Sequence, residues 1–395
     1  MHHRSTLRTS GIASLLLVTL CCFSGFALLL PVTPAWARHG GADEFGSGLV
    51  TAVLMLTTVL AQLALNAVLH RLGWARTLAL GALLLGLPAL VQALGDELWL
   101  ILLTTAVRGA GFGVITVCGS IAAAALAPPG RRGAVIGLYG LAIAVPQIVL
   151  TPAAPWLVDS FALPAIIACG AVPVLALAGV LPLGRAVEAA GLAGAGDAPQ
   201  APRPAAGSAA ATLRRVRRPL LLLLLVTTSG GAVLTFTPQF VSSSALAAGA
   251  LLTFTGPAAV ARWAFGTLAD RLSPRLLGAV LLPVAGAGLL LVAFALRSDA
   301  MSAPALLAGI LLLGTAYGGL QTVTLVQALD LAGERSRTTA SVAWNIGFDA
   351  GTGLGSLLLG FSAQVSSFAM GFAALATVTL TASAALLRPG AGRRG

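Results

Sequence analysis

Long apolar runs separated by short polar knots organise this chain from end to end. Twelve stretches are long and apolar enough to cross a bilayer: 12–34, 46–69, 75–95, 98–126, 133–157, 161–183, 218–240, 244–269, 275–297, 302–328, 337–361 and 364–387. A spanning α-helix needs about 20 mostly apolar residues, so each stretch predicts one transmembrane helix.

The knots carry a repeat. Asn66-Ala67-Val68-Leu69-His70-Arg71-Leu72-Gly73 recurs 200 residues later as Gly266-Thr267-Leu268-Ala269-Asp270-Arg271-Leu272-Ser273. Each copy closes one apolar segment and leads into the next. An Arg-bearing knot repeated in two halves predicts an all-α integral membrane fold of twelve helices in two pseudo-symmetric six-helix bundles. The bundles are expected at 1–183 and 218–395. Between them, 184–217 is rich in Ala, Gly, Pro and Arg without a sustained hydrophobic period, and reads as a flexible cytoplasmic linker. Every other loop is short, so none can hold a catalytic domain.

Composition agrees. The 395 residues are 57% hydrophobic and only 9% charged, with a mean hydropathy of +0.96, too little polar surface to solvate a globule of this size. The net charge of +11 changes meaning once it is mapped. All 23 basic residues are Arg, and with both termini inside, nineteen fall in cytoplasmic segments. Outside loops hold Arg38 and Arg297 and instead collect Asp43, Glu44, Asp96, Glu97, Asp159 and Asp299. This is the positive-inside asymmetry of a multi-pass protein, expected here in a bacterial cell membrane. It is not a nucleic-acid footprint. The run Arg214-Arg215-Val216-Arg217-Arg218 sits where anionic headgroups would attract it.

Two features invite other readings. The first apolar run ends in Ala35-Trp36-Ala37, which resembles a secretory cleavage site. The run is long for a signal peptide, and its loss would leave eleven helices, so a retained first helix is expected. Cys21, Cys22, Cys118 and Cys169 all fall in apolar segments without a CxxC pair or a neighbouring His. They read as buried thiols rather than as a disulfide or metal site, and no cofactor is expected.

Charge at membrane depth is costly and so marks candidate function. Arg108 lies about ten residues into the fourth segment and Asp349 about twelve into the eleventh, both near mid-bilayer at ~1.5 Å per residue. Arg262 lies two turns from the end of the eighth. A carboxyl at Asp349 that alternates between apolar surroundings and a nearby Arg can load and release a proton; alternatively it forms a fixed Asp–Arg bridge. Arg108 either neutralises substrate, pairs with an acid such as Asp349, or hydrogen-bonds backbone carbonyls. Gln321, Thr322 and Asn345 are candidates for the substrate lining, with helix–helix hydrogen bonding as their other reading. His70 is either a pH-responsive latch or a solvated helix-end residue. Gly109-Ala110-Gly111-Phe112-Gly113 and Gly351-Thr352-Gly353-Leu354-Gly355 predict close helix contacts.

The repeated junction resembles the cytoplasmic signature Gly-x-x-x-Asp-Arg-x-Gly-Arg-Arg of the major facilitator superfamily of secondary transporters. Arg71 and Gly73 match, and Arg76 supplies a basic group downstream, whereas Asn66 and His70 replace the Gly and the Asp. The second copy keeps Gly266, Asp270, Arg271 and Arg275. Arg108 with its glycines is similar to a fourth-helix signature of proton-coupled members. Asn345 to Gly351 looks like the corresponding segment of bacterial drug and sugar efflux members.

The resemblance implies a gating role for the junctions and a substrate site near mid-membrane, lined by helices 1, 4, 7 and 10. It also implies alternating access. An apolar lining with Thr, Ser, Gln and one Arg suits a small amphipathic compound. The expected activity is therefore proton-coupled export of a drug or secondary metabolite by a monomer in the lipid bilayer. The alternative is a sugar or metabolite importer of the same fold. A receptor or an enzyme fits less well, because no soluble output domain and no nucleophile–base pair is in sight.

Overall fold

The computed structural model describes residues 2–128, 132–191, 206–269, 271–297 and 301–387. All regular elements among the described residues are helical, and the chain divides into two compact units, 1–200 and 201–395. Unit 1 contains α1 (His2–His39), α2 (Glu44–Gln92), α3 (Leu98–Leu126), α4 (Arg132–Ser160), α5 (Leu163–Cys169) and α6 (Leu177–Ala189). Unit 2 contains α7 (Ala206–Phe240), α8 (Ser244–Ala269), α9 (Pro274–Ala295), α10 (Ala303–Ala332), α11 (Arg337–Val365) and α12 (Phe368–Leu387).

Ten helices are long and apolar enough to cross a membrane. One of them, α2, holds the second and third expected segments in a single 49-residue run broken at Gly73. The 29-residue α11 falls outside the ten because polar residues such as Asn345 and Asp349 dilute its hydropathy. Counting α2 twice and adding α11 brings ten to the expected twelve. Helices suit the bilayer because each satisfies its own backbone amides where no water can. Large apolar side chains such as Leu60, Leu103, Val260 and Trp263 are exposed, as suits helices in contact with lipid.

Gly73 has φ 73 and ψ 174, a conformation essentially closed to residues with a Cβ. It lets one apolar run become two helices. The second copy of the junction makes its turn differently: Ser273 caps α9 by accepting from the Leu276 amide, and Pro274 occupies the first turn.

Proline inside α1 is accommodated by a neighbour. Pro31 cannot donate to the carbonyl four residues back, and that carbonyl, of Ala27, accepts from Thr151 Oγ1 on α4 at 3.0 Å. The sequence Ala35-Trp36-Ala37 continues the same helix. Trp36 is buried and its indole donates to the carbonyls of Gln92 and Gly95, each at 3.1 Å.

The sixth segment is not one helix. α5 ends at Cys169, a 3-10 turn covers Val172–Ala176, and α6 resumes at Leu177. Pro173 supplies no amide for a continuous ladder, and it packs 2.5 Å from where a Cβ on Gly25 of α1 would lie. Cys169, at the end of the short α5, is exposed, correcting its expected burial; Cys22 and Cys118 are buried and Cys21 is partly so.

The expected linker is helical at both margins, since α6 runs to Ala189 and α7 starts at Ala206. The start of α7 is held because Val216 is fully buried in a cluster with Ala328 and Ala332 of α10. Residues 192–205 lie outside the described ones.

Candidate functional site

In unit 2, helices α8, α10 and α11 bring a polar and aromatic cluster together. Tyr317 of α10 is buried, its ring 4.9 Å from Phe254 of α8 and 6.3 Å from Phe348 of α11. Phe348 stacks at 5.8 Å on Trp344, one turn earlier, and the Trp344 indole donates to Thr324 Oγ1 on α10 at 3.1 Å. On α7, Gly230 makes room for the Tyr317 ring, which would collide with any Cβ there.

The charges sit around that ring. Tyr317 is in electrostatic reach of both Arg262 and Asp349 and stands beside the side chain of Gln321. Helical spacing explains the convergence. Phe254 and Arg262 are two turns apart on α8, Tyr317 and Gln321 one turn apart on α10, and Asn345 and Asp349 one turn apart on α11. Asp349 is only 6% exposed. Among the described residues, Arg262 Nε and Gln321 Nε2 are buried donors with no hydrogen-bond partner, and such groups are costly to leave unsatisfied. A carboxyl, a phenol, a guanidinium and an amide in one low-dielectric cluster can bind a polar group or exchange a proton.

The other expected polar residues have local duties. Thr322 Oγ1 donates to the Arg262 carbonyl across helices at 3.1 Å, and Asn345 Nδ2 donates to the Ser341 carbonyl on its own helix at 2.9 Å. The Thr322 contact joins α10 to α8, whereas the Asn345 contact stays within α11. α11 also lies close to α7: a Cβ on Gly355 would collide with the Thr228 carbonyl, and one on Gly351 with Thr227.

Arg108 lies in unit 1, on α3, with 2% of its surface exposed. Its Nε donates to the Leu85 carbonyl at 3.3 Å, and Nη1 makes a 3.5 Å contact with Thr33 Oγ1 of α1. Both partners are neutral. One turn along α3, Phe112 stacks face to face on Phe26 of α1 at 3.9 Å and 4°, with Phe23 edge-on at 5.4 Å.

At the junctions, His70, Arg71 and Arg76 are exposed in unit 1, and Arg271 and Arg275 in unit 2. Gly266 is half-buried, 3.5 Å from Thr322 Cγ2 measured from its ideal Cβ position. Asp270 lies outside the described residues.

Sequence reasoning missed Tyr317, Phe254, Trp344 and Phe348. A signal existed for the first: the chain has only two Tyr, and this one lies one helical turn before Gln321. The remaining aromatics look like ordinary lipid-facing or core residues until the helices are placed.

The sequence profile of the Major Facilitator Superfamily matches residues 15–343. Among curated protein sequences, none matches the chain. Solved transporter structures share its fold. The bacterial homologue of the human lysosomal transporter Spinster, inward-facing and unoccupied, is 17% identical with a TM-score of 0.72, covering 96% of this chain and 96% of that one. The nucleoside transporter NupG is 12% identical with a TM-score of 0.75, covering 96% of this chain and 100% of that one. The xylose transporter XylE from E. coli, inward open, is 14% identical with a TM-score of 0.73, covering 95% and 96%.

Proposed function

This chain belongs to the Major Facilitator Superfamily, and on that premise we propose that it exports a small amphipathic compound in exchange for protons. That it is a multi-pass membrane transporter of this superfamily, not an enzyme, follows from the family and the fold. Direction, coupling ion and substrate class are the proposal. The observation that supports it is the group of Asp349, Tyr317 and Gln321, all buried, with Arg262 partly buried on α8. Asp349 and Arg262 each lie within electrostatic reach of Tyr317, and Arg262 Nε and Gln321 Nε2 are buried donors with no partner among the described residues, which supports a proton or ligand exchanged there. Asp349 is the proton carrier in this reading. Arg262 and Tyr317 respond to its charge, and Arg108 stands at or beside the substrate. The aromatic rings favour an apolar ligand body. The Arg distribution supports a bacterial plasma membrane with both termini in the cytoplasm, and the transporter acts as a monomer.

The test uses inverted membrane vesicles carrying a proton gradient, to which lipophilic antibiotics and dyes are added while lumenal pH is followed. Wild type should release protons on addition of a substrate, and Asp349→Asn should not. Full pH-driven transport by Asp349→Asn would remove the coupling assignment. Silence across the panel, with uptake of a sugar or other metabolite instead, would turn the reading to import.

A further inference from the structure

Two cavities sharing a wall lie where α7 begins in unit 2, with volumes of about 260 and 240 Å³. Arg218, Arg275 and Gln327 line both. The smaller adds Arg214, Arg215 and Arg217, so five Arg line it, and among the described residues neither lining contains a carboxylate. The larger continues along Leu222, Leu276 and Leu282. Val216, between the four exposed Arg of α7, is fully buried in the cluster with Ala328 and Ala332, which fixes that turn of the helix. Arg275 lies in the first turn of α9, whose N-terminus adds a favourable dipole for an anion.

A concentration of like charge at one spot is self-repelling unless an anion sits there, and guanidinium forks match phosphate oxygens in geometry. Gln327 narrows the chemistry. It is 9% exposed, lines both cavities, and its Oε1 has no hydrogen-bond partner among the described residues. That oxygen accepts and cannot be satisfied by an anion's acceptors; it needs a donor such as a hydroxyl. The cavities fall below the ~300–1,000 Å³ of drug-sized sites, so a headgroup-sized ligand fits. Charge at one end and leucines at the other describe an amphiphile.

We propose that this cavity binds a phosphodiester anion carrying a free hydroxyl, supplied by a lipid headgroup of the phosphatidylglycerol kind. Arg214, Arg218 and Arg275 hold the phosphate, Gln327 Oε1 accepts a hydrogen bond from the hydroxyl, and the leucines flank the acyl chains.

The purified full chain in neutral detergent is titrated with phosphatidylglycerol, phosphatidylmethanol (same charge, no hydroxyl), phosphatidylcholine and inorganic phosphate, and binding is read by native mass spectrometry and thermal shift. Phosphatidylglycerol should bind most tightly, phosphatidylmethanol more weakly and phosphatidylcholine least. Arg214→Gln/Arg218→Gln/Arg275→Gln should weaken the anionic lipids at least about tenfold, as expected for loss of charge-assisted hydrogen bonds. Arg297→Gln, on an exposed Arg in the turn that follows α9, should not. Gln327→Leu should erase the preference for phosphatidylglycerol over phosphatidylmethanol while keeping the preference for charge. Equal binding of phosphatidylglycerol to wild type and the triple variant overturns the site. Arg-dependent stabilisation by inorganic phosphate, without an effect of the lipids, overturns the lipid source. No difference between the two anionic lipids in wild type overturns the role of Gln327.

Discussion

Gly288 on α9 and Gly309 on α10 face each other so closely that a Cβ on either would lie 2.7 Å from the other's carbonyl oxygen. The contact is reciprocal and backbone to backbone, so no flexible side chain can yield. In a bilayer, where lipid tails are as apolar as leucine, this kind of close approach is what holds helices together.

Gly288→Ala and Gly309→Ala should each destabilise unit 2 by about 1–3 kcal/mol, the usual cost of overpacking. Because the two share one contact, the double variant should depart from additivity by about 0.5 kcal/mol or more. Thermal unfolding of the purified variants in detergent measures both; a strictly additive pair would mean the helices re-seat independently.

Gly73 and Gly333 predict a different kind of cost. Gly73 has φ 73, and Gly333 φ 69 with ψ 170. The position of a Cβ at Gly73 is 4.0 Å from its nearest neighbour, and at Gly333 nothing lies within 4 Å. The penalty is therefore in the backbone, about 1–3 kcal/mol. Substitution by Ala should already incur most of it, with Ser adding little. A Ser variant much worse than Ala would point to a steric clash instead.

Tyr317→Phe keeps the ring against Phe254 and Phe348 but removes the hydroxyl that faces Arg262, Asp349 and Gln321. Stability should fall by no more than about 1.5 kcal/mol, the net worth of a neutral hydrogen bond. Proton-driven transport should fall much further, about tenfold or more. Unchanged transport with a lowered melting temperature would reduce Tyr317 to packing.

Arg108→Gln tests whether the guanidinium serves substrate or only the fold. Loss of a charge-assisted contact of about 1.5–3 kcal/mol corresponds to roughly a 10–150-fold loss in transport efficiency. The expected outcome is that loss in vesicle assays with little change in melting temperature, since the partners left behind are the Leu85 carbonyl and the Thr33 hydroxyl. A collapse of the melting temperature instead would assign Arg108 to holding α1, α2 and α3 together.

The path from sequence to site was uneven. Arg108, Arg262 and Asp349 could be picked out because charge within a 20-residue apolar stretch is rare and expensive. Tyr317 and its aromatic neighbours could not, because an aromatic residue in an apolar helix is equally at home facing lipid or facing another helix. The 3-10 break after Cys169 and the turn at Gly73 without an intervening loop had the same origin: hydropathy measures apolar length and is blind to whether Pro173 or Gly73 bends it.

The sequence by itself determined the helical membrane architecture, its two-fold internal repeat and the places where charge enters the bilayer, since these follow from apolar length and the cost of charge in hydrocarbon. Only the tertiary structure decided that Arg262, Tyr317, Gln321 and Asp349 from three helices meet, and that Arg108 turns to a backbone carbonyl. It also decided that Arg275 joins the Arg cluster of α7. Such meetings depend on helix rotation and crossing, which small residues such as Gly288 and Gly309 set through backbone contact and which no local hydropathy pattern records.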